Sequence, residues 1–350
     1  MSVFPDARRA VSRQALFLGI LGLALALFAA PAVQAQPFGG WLELDGTTGY
    51  IEVPANPVLN PSTGFTFEAW VRITSATGCR SIAGKGWTQA WWVGVCGTTM
   101  RSYLHGSAAG SLFDSGTIPS GVWTHIAITW DGATRRHYIN GVQTGFVAQA
   151  TAPTPSASAF RIGNDVSWDF TPTGAIDEVN LWNVARTQAQ IQADLTGPIT
   201  GPVQGLLAVW SFNGNARDGV AVYNGATAGS ASFSAPAPPA GAWLTTGELP
   251  GFRFKVRIGG TTTGIQEPLC VSETLCVSGA VPGRSEVFVR VVGPRPNGYL
   301  WPNVVKFTTS QVEVWIEQLS TGSVKYYFLA GPWPGLDDLP GLYDRTGFLP

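Results

Sequence analysis

The chain has 350 residues and a formal net charge of −1, and 12% of its residues are charged, against about 25% in an average soluble protein. This balance offers no basic surface, so it argues against a nucleic-acid-binding protein and against a protein that binds anionic membranes. The composition includes 43 Gly, 25 Pro and 14 Trp. Short runs of Val, Ile, Phe and Trp, separated by Gly, Pro and Asn, predict an all-β protein.

The N-terminal segment has the order of a secretory signal peptide. Arg8, Arg9 and Arg13 precede an uncharged apolar stretch at residues 15–30, and small residues lead up to Ala35. We expect residues 1–35 to be removed by cleavage after Ala35. The alternative is an uncleaved anchor, but the apolar stretch is shorter than the roughly 20 residues that span a bilayer. The sequence therefore predicts a protein that is secreted or held in the cell envelope or periplasm, with no membrane span after cleavage.

Residues 41–233 are predicted to form one β domain. Its clearest strand covers residues 65–73, where alternate residues are apolar and point to the core. Residues 121–132 repeat this alternation, and the Asn140-Gly141 pair suits the type I′ turn of a hairpin. The predicted core face of the first strand consists of Phe65, Phe67, Ala69, Val71 and Ile73.

Residues 174–186 are predicted to form a strand that leads into a short helix. Thr187 stands three residues before Gln190, which is the spacing of a capping box. Strict alternation would place Asp177 on the same face as Val179 and Leu181. A carboxylate on such a face must be hydrogen-bonded, paired or bound to a cation, because burying it alone is costly.

The four cysteines allow three disulfide connectivities. Their spacing favours two local pairs, Cys79 with Cys96 and Cys270 with Cys276, and export would make such bonds possible. Cys79 and Cys96 flank two predicted neighbouring strands, which a bridge would join. A metal site is the weaker alternative, because the sequence has no Cys-x-x-Cys pair and its three His are dispersed.

A second β-rich unit is predicted at residues 251–350, after a Pro/Ala-rich linker at residues 234–250. In its residues 311–318, Val312, Val314 and Ile316 share one face, and Glu313, Trp315 and Glu317 share the other. We expect the second face to be a solvated sheet face. Four or five strands suit a small sandwich or an open barrel.

Catalytic constellations are not found. Glu43 and Asp45 have no third acid on their strand, and Glu313 and Glu317 are four residues apart, hence roughly 13 Å, too far for a glycosidase pair. There is no Gly-x-Ser-x-Gly motif, and no Gly-rich run joins a strand to a helix, so no nucleotide is expected. The sequence predicts a protein that is not an enzyme.

A binding site is predicted from tryptophans that lie near acidic residues. Trp87 and Trp91 fall in one predicted hairpin, and Trp168 lies in a loop with Asp165. Aromatic platforms beside a few polar groups are typical of saccharide sites, so these four residues are the candidate ligand-binding site. The alternative is that these Trp side chains belong to the core, which is the commoner place for them. Because Trp91 and Trp92 point to opposite faces of their strand, only one of them can face the loop of Trp87.

Six segments in order along residues 41–233 resemble the laminin-G-like group of concanavalin A-like lectin/glucanase folds. They include Leu44-Asp45-Gly46, residues 64–71, residues 123–132, residues 138–141, residues 174–179 and residues 209–212. The resemblance implies a jelly-roll sandwich of two antiparallel sheets, with the smaller C-terminal β domain following it. The C-terminal unit itself resembles an uncharacterised module of secreted bacterial proteins.

The resemblance also implies a structural calcium ion, carried over to Asp45 and Asp177. One departure is that the family often has acidic residues just after the Asp-Gly turn, where this chain has Thr47, Thr48 and Gly49. The alternative is that Asp177 only accepts hydrogen bonds from backbone amides of a turn. Apart from calcium, no cofactor is expected.

Together these features predict a secreted, non-catalytic binding protein whose partner is a glycan or an extracellular or surface protein. The first alternative is a structural or interaction protein of the cell envelope that has no glycan ligand. The second is an enzyme that acts on glycans.

Overall fold

The computed structural model describes residues 39–75, 77–104, 112–167, 170–199, 203–220, 222–245, 249–259, 262–263, 265–266, 274–278, 285–292, 300–308, 310–329 and 342–343. The predicted signal peptide and Cys270 lie outside these residues, as does Trp168. Within the part of the chain that is described, no helix is long and apolar enough to cross a membrane.

The described residues between 41 and 234 form strands and one short helix, α1. The helix covers Gln188–Asp194, and a 3-10 turn covers Pro57–Leu59. The strands are β1 Trp41–Asp45, β2 Tyr50–Val53, β3 Phe65–Ser75, β4 Cys79–Gly84, β5 Trp91–Cys96, β6 Thr99–Leu104, β7 Leu112–Thr117, β8 Thr124–Trp130, β9 Thr134–Ile139, β10 Val142–Ala148, β11 Phe160–Ile162, β12 Thr173–Trp182, β13 Leu206–Trp210, β14 Ala226–Ala228 and β15 Ser232–Ser234.

These strands make two antiparallel sheets. Sheet A has the order β10-β9-β8-β3-β12-β1-β15, with β13 also paired to β12, and sheet B has the order β14-β2-β11-β4-β5-β6-β7. Apolar side chains from both sheets meet between them, where Trp91 packs against Phe65, Phe67 and Phe160. The predicted sandwich of two antiparallel sheets is therefore confirmed.

Several local predictions are confirmed. The predicted core face of β3 is buried, and Asn140 and Gly141 have φ of 49° and 73°, as a type I′ turn requires. Thr187 Oγ1 accepts from the Gln190 amide while the Thr187 amide donates to Gln190 Oε1, which completes the capping box of α1. A disulfide joins Cys79 and Cys96, which lie opposite each other in β4 and β5.

The prediction that β12 alternates strictly is wrong, because the strand contains a bulge. Glu178 has φ of 45°, and the pairing of β12 with β3 shifts between Asp177 and Asn180. The extra residue places Ile176 and Val179 in the core between the sheets. Asp177 therefore points away from that core, to the outer side of sheet A, and does not share a face with Val179 and Leu181.

The C-terminal unit has its own apolar core between two further sheets. Sheet C has the order β17-β16-β22-β23, and sheet D has the order β18-β19-β20-β21-β24. Their strands are β16 Phe252–Ile258, β17 Thr262–Thr263, β18 Ile265–Gln266, β19 Leu275–Ser278, β20 Ser285–Val292, β21 Trp301–Lys306, β22 Val312–Gln318, β23 Val324–Leu329 and β24 Leu342–Tyr343. Val312, Val314 and Ile316 lie in this core. Cys276 is part of a disulfide. The domain boundaries at residues 41–233, 234–250 and 251–350 stay a prediction.

The predicted solvated face of β22 is in fact covered. Glu313 is only 4% exposed, pairs with Arg257 and accepts from the Tyr326 hydroxyl. The segment after the jelly roll crosses this face, since Trp315 Nε1 donates to the Pro236 carbonyl at 2.8 Å and Lys255 Nζ donates to the Pro239 carbonyl. The prolines of the predicted linker are therefore packed against sheet C.

Candidate functional site

The turn between β4 and β5 carries Trp87, and Asp165 holds that turn in place. Asp165 Oδ2 accepts from the Gly86 amide at 3.1 Å, and Oδ1 accepts from the amides of Trp87 at 3.3 Å and Ser167 at 2.9 Å. Asp165 is only 1% exposed. Its carboxylate thus positions Trp87, and its own oxygens are occupied by backbone donors.

Trp87 belongs to a group of aromatic rings on the outer side of sheet B. Its ring centroid lies 5.4 Å from that of Tyr103, and the Trp92 centroid lies 5.7 Å from that of Tyr103. Trp87 and Tyr103 are partly exposed, whereas Trp92 is 3% exposed. Trp92 is fixed by its Nε1, which donates to Ser81 Oγ at 2.7 Å. Tyr103 therefore contacts both indoles, and the buried Trp92 supports the surface that Trp87 and Tyr103 partly expose.

Glycines make room for the indole of Trp92 on the sheet. A Cβ at Gly94 would lie 2.3 Å from two carbons of that indole, and a Cβ at Gly84 would lie 3.0 Å from its Cδ1 and 2.5 Å from Asp165 Oδ2. Any larger residue at Gly94 would displace the ring. The ring therefore lies across the β4–β5 hairpin because the neighbouring positions lack side chains.

A charged pair borders the rings. Arg101 Nε and NH2 donate to the two carboxylate oxygens of Asp114 at 2.7 Å and 2.6 Å, and these bonds from Arg101 lower the pKa of Asp114 below its ordinary value. Both side chains are partly exposed, Asp114 by 35% and Arg101 by 25%. We call Trp87, Trp92, Tyr103, Arg101 and Asp114 the aromatic face.

The structure brings together only part of the predicted ligand site. Trp87 and Asp165 are in contact, but Trp91 is completely buried between the sheets, so it is a core residue and the prediction for it is wrong. The alternation of β5 places Trp92 outside instead. Tyr103, Arg101 and Asp114 were missed because strands β6 and β7 were not recognised. The period-two alternation of residues 99–104 is the signal that would have placed Tyr103 beside Trp92.

Asp45 and Asp177 do not form a common calcium site. Asp45 pairs with Thr173 across β1 and β12, and Asp177 is four residues further along β12, roughly 13 Å away. Asp45 is the exposed last residue of β1, and hydrogen bonds from Ser230 and Thr47 lower the pKa of its carboxyl well below the ordinary value. These residues do not fit one ion. Among the residues with a described position, no group of three or more His, Cys, Asp and Glu is placed to hold a metal.

Asp177 lies instead in a buried polar layer on the outer side of sheet A. Burial raises its pKa well above the ordinary value, and the charge of adjacent Glu178 adds to this, while the Glu178 amide acts in the opposite direction. Burial likewise raises the pKa of Glu178 to about 8. The charge of Asp177 is also the smallest of the causes that raise the pKa of Tyr326, a residue of β23. By distance and angle, neither carboxylate oxygen of Asp177 has a hydrogen-bond partner among the described residues, so the alternative in which turn amides satisfy Asp177 is not supported.

Other clusters contain side chains of the types that act in catalysis, but these side chains are buried. Arg186 bridges Glu68 and Asp194, and His125 Nε2 lies 3.5 Å from Glu68; burial raises the pKa of Glu68 to about 8. Ser102 Oγ and His137 Nε2 are 2.6 Å apart. Glu68, His125, Ser102 and His137 are each at most 1% exposed. Because these four side chains are buried away from solvent, we interpret their contacts as structural.

One known family model matches the first part of the chain. Residues 45–192 match the Laminin_G_3 family, described as the concanavalin A-like lectin/glucanases superfamily. The resemblance inferred from the sequence is thereby confirmed over this range. No curated protein matches the sequence.

Three solved structures illustrate the similarity. A candidate carbohydrate-binding protein from Bacteroides ovatus is 18% identical, with 57% of this chain and 60% of that chain covered and a TM-score of 0.48. Domain 4 of AbnA, an extracellular arabinanase from Geobacillus stearothermophilus in complex with arabinotriose, is 26% identical, with 44% and 75% covered and a TM-score of 0.36. A pentraxin from Limulus polyphemus is 15% identical, with 56% and 95% covered and a TM-score of 0.42. The chain thus spans 60% of the length of the Bacteroides ovatus protein.

Proposed function

From the laminin-G-like match at residues 45–192, we propose that this protein is a secreted, non-catalytic glycan-binding protein. The observation that carries the proposal is the aromatic face, where the partly exposed rings of Trp87 and Tyr103 lie 5.4 Å apart beside the Arg101–Asp114 pair. Export rests on the predicted signal peptide at residues 1–35.

The chemistry of the aromatic face suits a saccharide. A sugar ring has an apolar C–H side, which can stack on an aromatic ring, and hydroxyl groups, which need donors and acceptors. The Arg101 guanidinium offers donors and Asp114 offers acceptors. Trp92 and Asp165 hold the rings in place before a ligand arrives, so binding costs little side-chain entropy.

The non-catalytic part of the proposal rests on where the carboxylates lie. Hydrolysis of a glycosidic bond needs two carboxyl groups at the same bond, about 5 Å apart or up to about 10 Å apart. On the aromatic face, Asp114 is paired with Arg101 and Asp165 is occupied by backbone amides. Neither of them is placed as a free general acid.

A glycan array with the full mature chain tests the proposal. We expect binding to at least one oligosaccharide, and we expect Trp87→Ala and Tyr103→Ala to weaken binding at the aromatic face about tenfold or more, as removal of a central aromatic contact does. The matched control is Phe146→Ala, since Phe146 is an exposed aromatic residue of β10, 66% accessible and outside the aromatic face.

Two results would contradict the proposal. One is that no glycan binds to the folded wild-type protein, which would favour the envelope-protein alternative. The other is that Trp87→Ala and Tyr103→Ala bind as the control does. Turnover of any polysaccharide in the panel would contradict only the non-catalytic part.

A further inference from the structure

A second group of aromatic and charged side chains lies on the outer side of sheet A. Glu43 of β1, Ala175 of β12 and Arg72 of β3 are neighbours across the sheet. Because Ala175 is small, Arg72 NH2 and Glu43 Oε1 approach to 3.5 Å across it. Trp41 and Trp123 stand beside this pair with ring centroids 6.0 Å apart and planes at 72°. We call Trp41, Glu43, Arg72 and Trp123 the tryptophan corner.

Several contacts join the side chains of the corner, although they are partly exposed. Trp41 Nε1 donates to Glu43 Oε2 at 2.6 Å, which fixes both the ring and the carboxylate. The Arg72 guanidinium lies 5.5 Å from the Trp41 ring centroid and 5.1 Å from that of Trp123. Trp41 and Trp123 remain partly exposed, and the side chains of Arg72 and Glu43 are 29% and 38% exposed.

The hydrogen-bonding capacity of Arg72 is largely unused. A guanidinium has five N–H donors, and Arg72 has one hydrogen bond within the described part of the chain, to Glu43 at the long distance of 3.5 Å. Its Nε is buried and has no hydrogen-bond partner there. An exposed ion pair of this kind contributes only about 0–1 kcal/mol to stability. The ion pair by itself therefore contributes little to the stability of the fold.

We propose that the tryptophan corner is a second saccharide-binding site, specific for neutral sugars. The two indoles offer apolar ring surfaces, Arg72 offers donors and Glu43 offers an acceptor, which together match the C–H face and the vicinal hydroxyls of a pyranose. The pair has no net charge, so it does not favour an acidic sugar. The inference rests on the proposed function only for the ligand class.

The position of the corner has a consequence for binding to polysaccharides. It lies on the outer side of sheet A, and the aromatic face lies on the outer side of sheet B, so the sandwich separates them. One molecule can then hold two glycan chains at once, and wherever a polymer reaches both sites the two contacts together bind it more strongly than either alone.

Isothermal titration with cellohexaose, xylohexaose, arabinohexaose and mannohexaose tests this site. With the ligand that binds, we expect about two sites per chain. The variant Trp87→Ala should retain the corner site, Trp123→Ala should retain the aromatic face, and the double variant should lose both, each loss being about tenfold or more. Phe146→Ala is the control, and Glu43→Gln, which keeps the side-chain shape, should weaken the corner site without affecting the fold.

The outcomes separate this inference from the proposed function. If Trp87→Ala abolishes all binding while Trp123→Ala and Glu43→Gln bind as wild type, the corner site is refuted and the aromatic face stands. If Trp123→Ala abolishes all binding and Glu43→Gln weakens it while Trp87→Ala binds as wild type, the corner site is supported and the aromatic face is refuted. If polygalacturonic acid binds with a steep salt dependence and no neutral hexasaccharide binds, the inferred specificity is refuted. Absence of any binding refutes both sites.

Discussion

Trp91 and Trp92 are consecutive in β5, and their indoles lie on opposite sides of sheet B. The Trp91 ring packs 4.8 Å from the Phe65 ring inside the sandwich, while Trp92 Nε1 donates to Ser81 Oγ on the outer side. One residue therefore joins the two sheets and the other supports the aromatic face. A substitution at Trp91 would act through stability, whereas a substitution around Trp92 would act on the surface where we place the ligand.

Removal of the Asp165 carboxylate should weaken glycan binding while the chain stays folded. In Asp165→Ala the amides of Gly86 and Trp87 lose their acceptor, so the turn loosens and Trp87 is no longer held against Tyr103. We expect a loss of about 1–3 kcal/mol in unfolding free energy and a several-fold weaker affinity, measured by urea denaturation and by titration. Asp45→Ala is a matched control, because Asp45 also accepts from turn amides. Equal affinity in the two variants would contradict the role given to Asp165.

The Cys79–Cys96 disulfide should stabilise the hairpin that carries Trp87 and Trp92. The two cysteines are 17 residues apart, and closing a loop of about that length stabilises a protein by about 3 kcal/mol. We expect the Cys79→Ser/Cys96→Ser variant to unfold at lower urea concentration and to bind glycan more weakly. Unchanged stability would show that the strand pairing alone holds the hairpin.

Acid should destabilise the fold through His137. Burial, assisted by the charge of Arg135, lowers the pKa of His137 to about 3, whereas an unfolded histidine has a pKa of about 6.5. Between these values the unfolded chain binds the proton and the folded chain does not, so the stability that His137 contributes is complete above pH 6.5 and falls as the pH falls toward 3. Between pH 6.5 and 5 the loss should be on the order of 2 kcal/mol.

Urea denaturation at these two pH values, in wild type and in His137→Asn, measures this contribution. The variant will be less stable than the wild type at pH 6.5, because it alters the contact with Ser102, but its loss of stability between pH 6.5 and pH 5 should be smaller than that of the wild type. If the unfolding free energy falls by the same amount in both proteins, His137 is not responsible for the loss. His125 gives a second comparison, since burial also lowers its pKa to about 3.

Calcium should leave the melting temperature unchanged. The two acids predicted as ligands are separated along β1 and β12, and Asp45 is satisfied by Thr47 and Thr48. Thermal unfolding in EDTA and in calcium chloride, with Asp45→Asn beside the wild type, is the measurement. A rise in melting temperature with calcium that is lost in Asp45→Asn would show that the ion binds there after all.

Local features of this chain follow from its sequence alone. Period-two alternation defines β3, Asn140-Gly141 defines a hairpin, Thr187 and Gln190 cap α1, and closely spaced cysteines form the Cys79–Cys96 bridge. Each depends on residues that are near one another in the chain, so the pattern and the structure obey the same short-range rules. The order of these segments was also enough to indicate the laminin-G-like fold.

Only the tertiary structure decided where Asp177, Trp91 and Glu313 lie. The bulge at Glu178 reverses the faces of β12, and it occurs at a residue with no intrinsic preference for a positive φ, so nothing in the local sequence marks it. Trp91 and Trp92 are told apart by which side of sheet B meets sheet A. Glu313 is covered by chain from outside its own strand. Contacts between distant segments determine which side of a sheet a residue faces, how the strands are paired and which faces are covered. The tryptophan corner likewise exists only because β1, β12 and β3 lie side by side in sheet A.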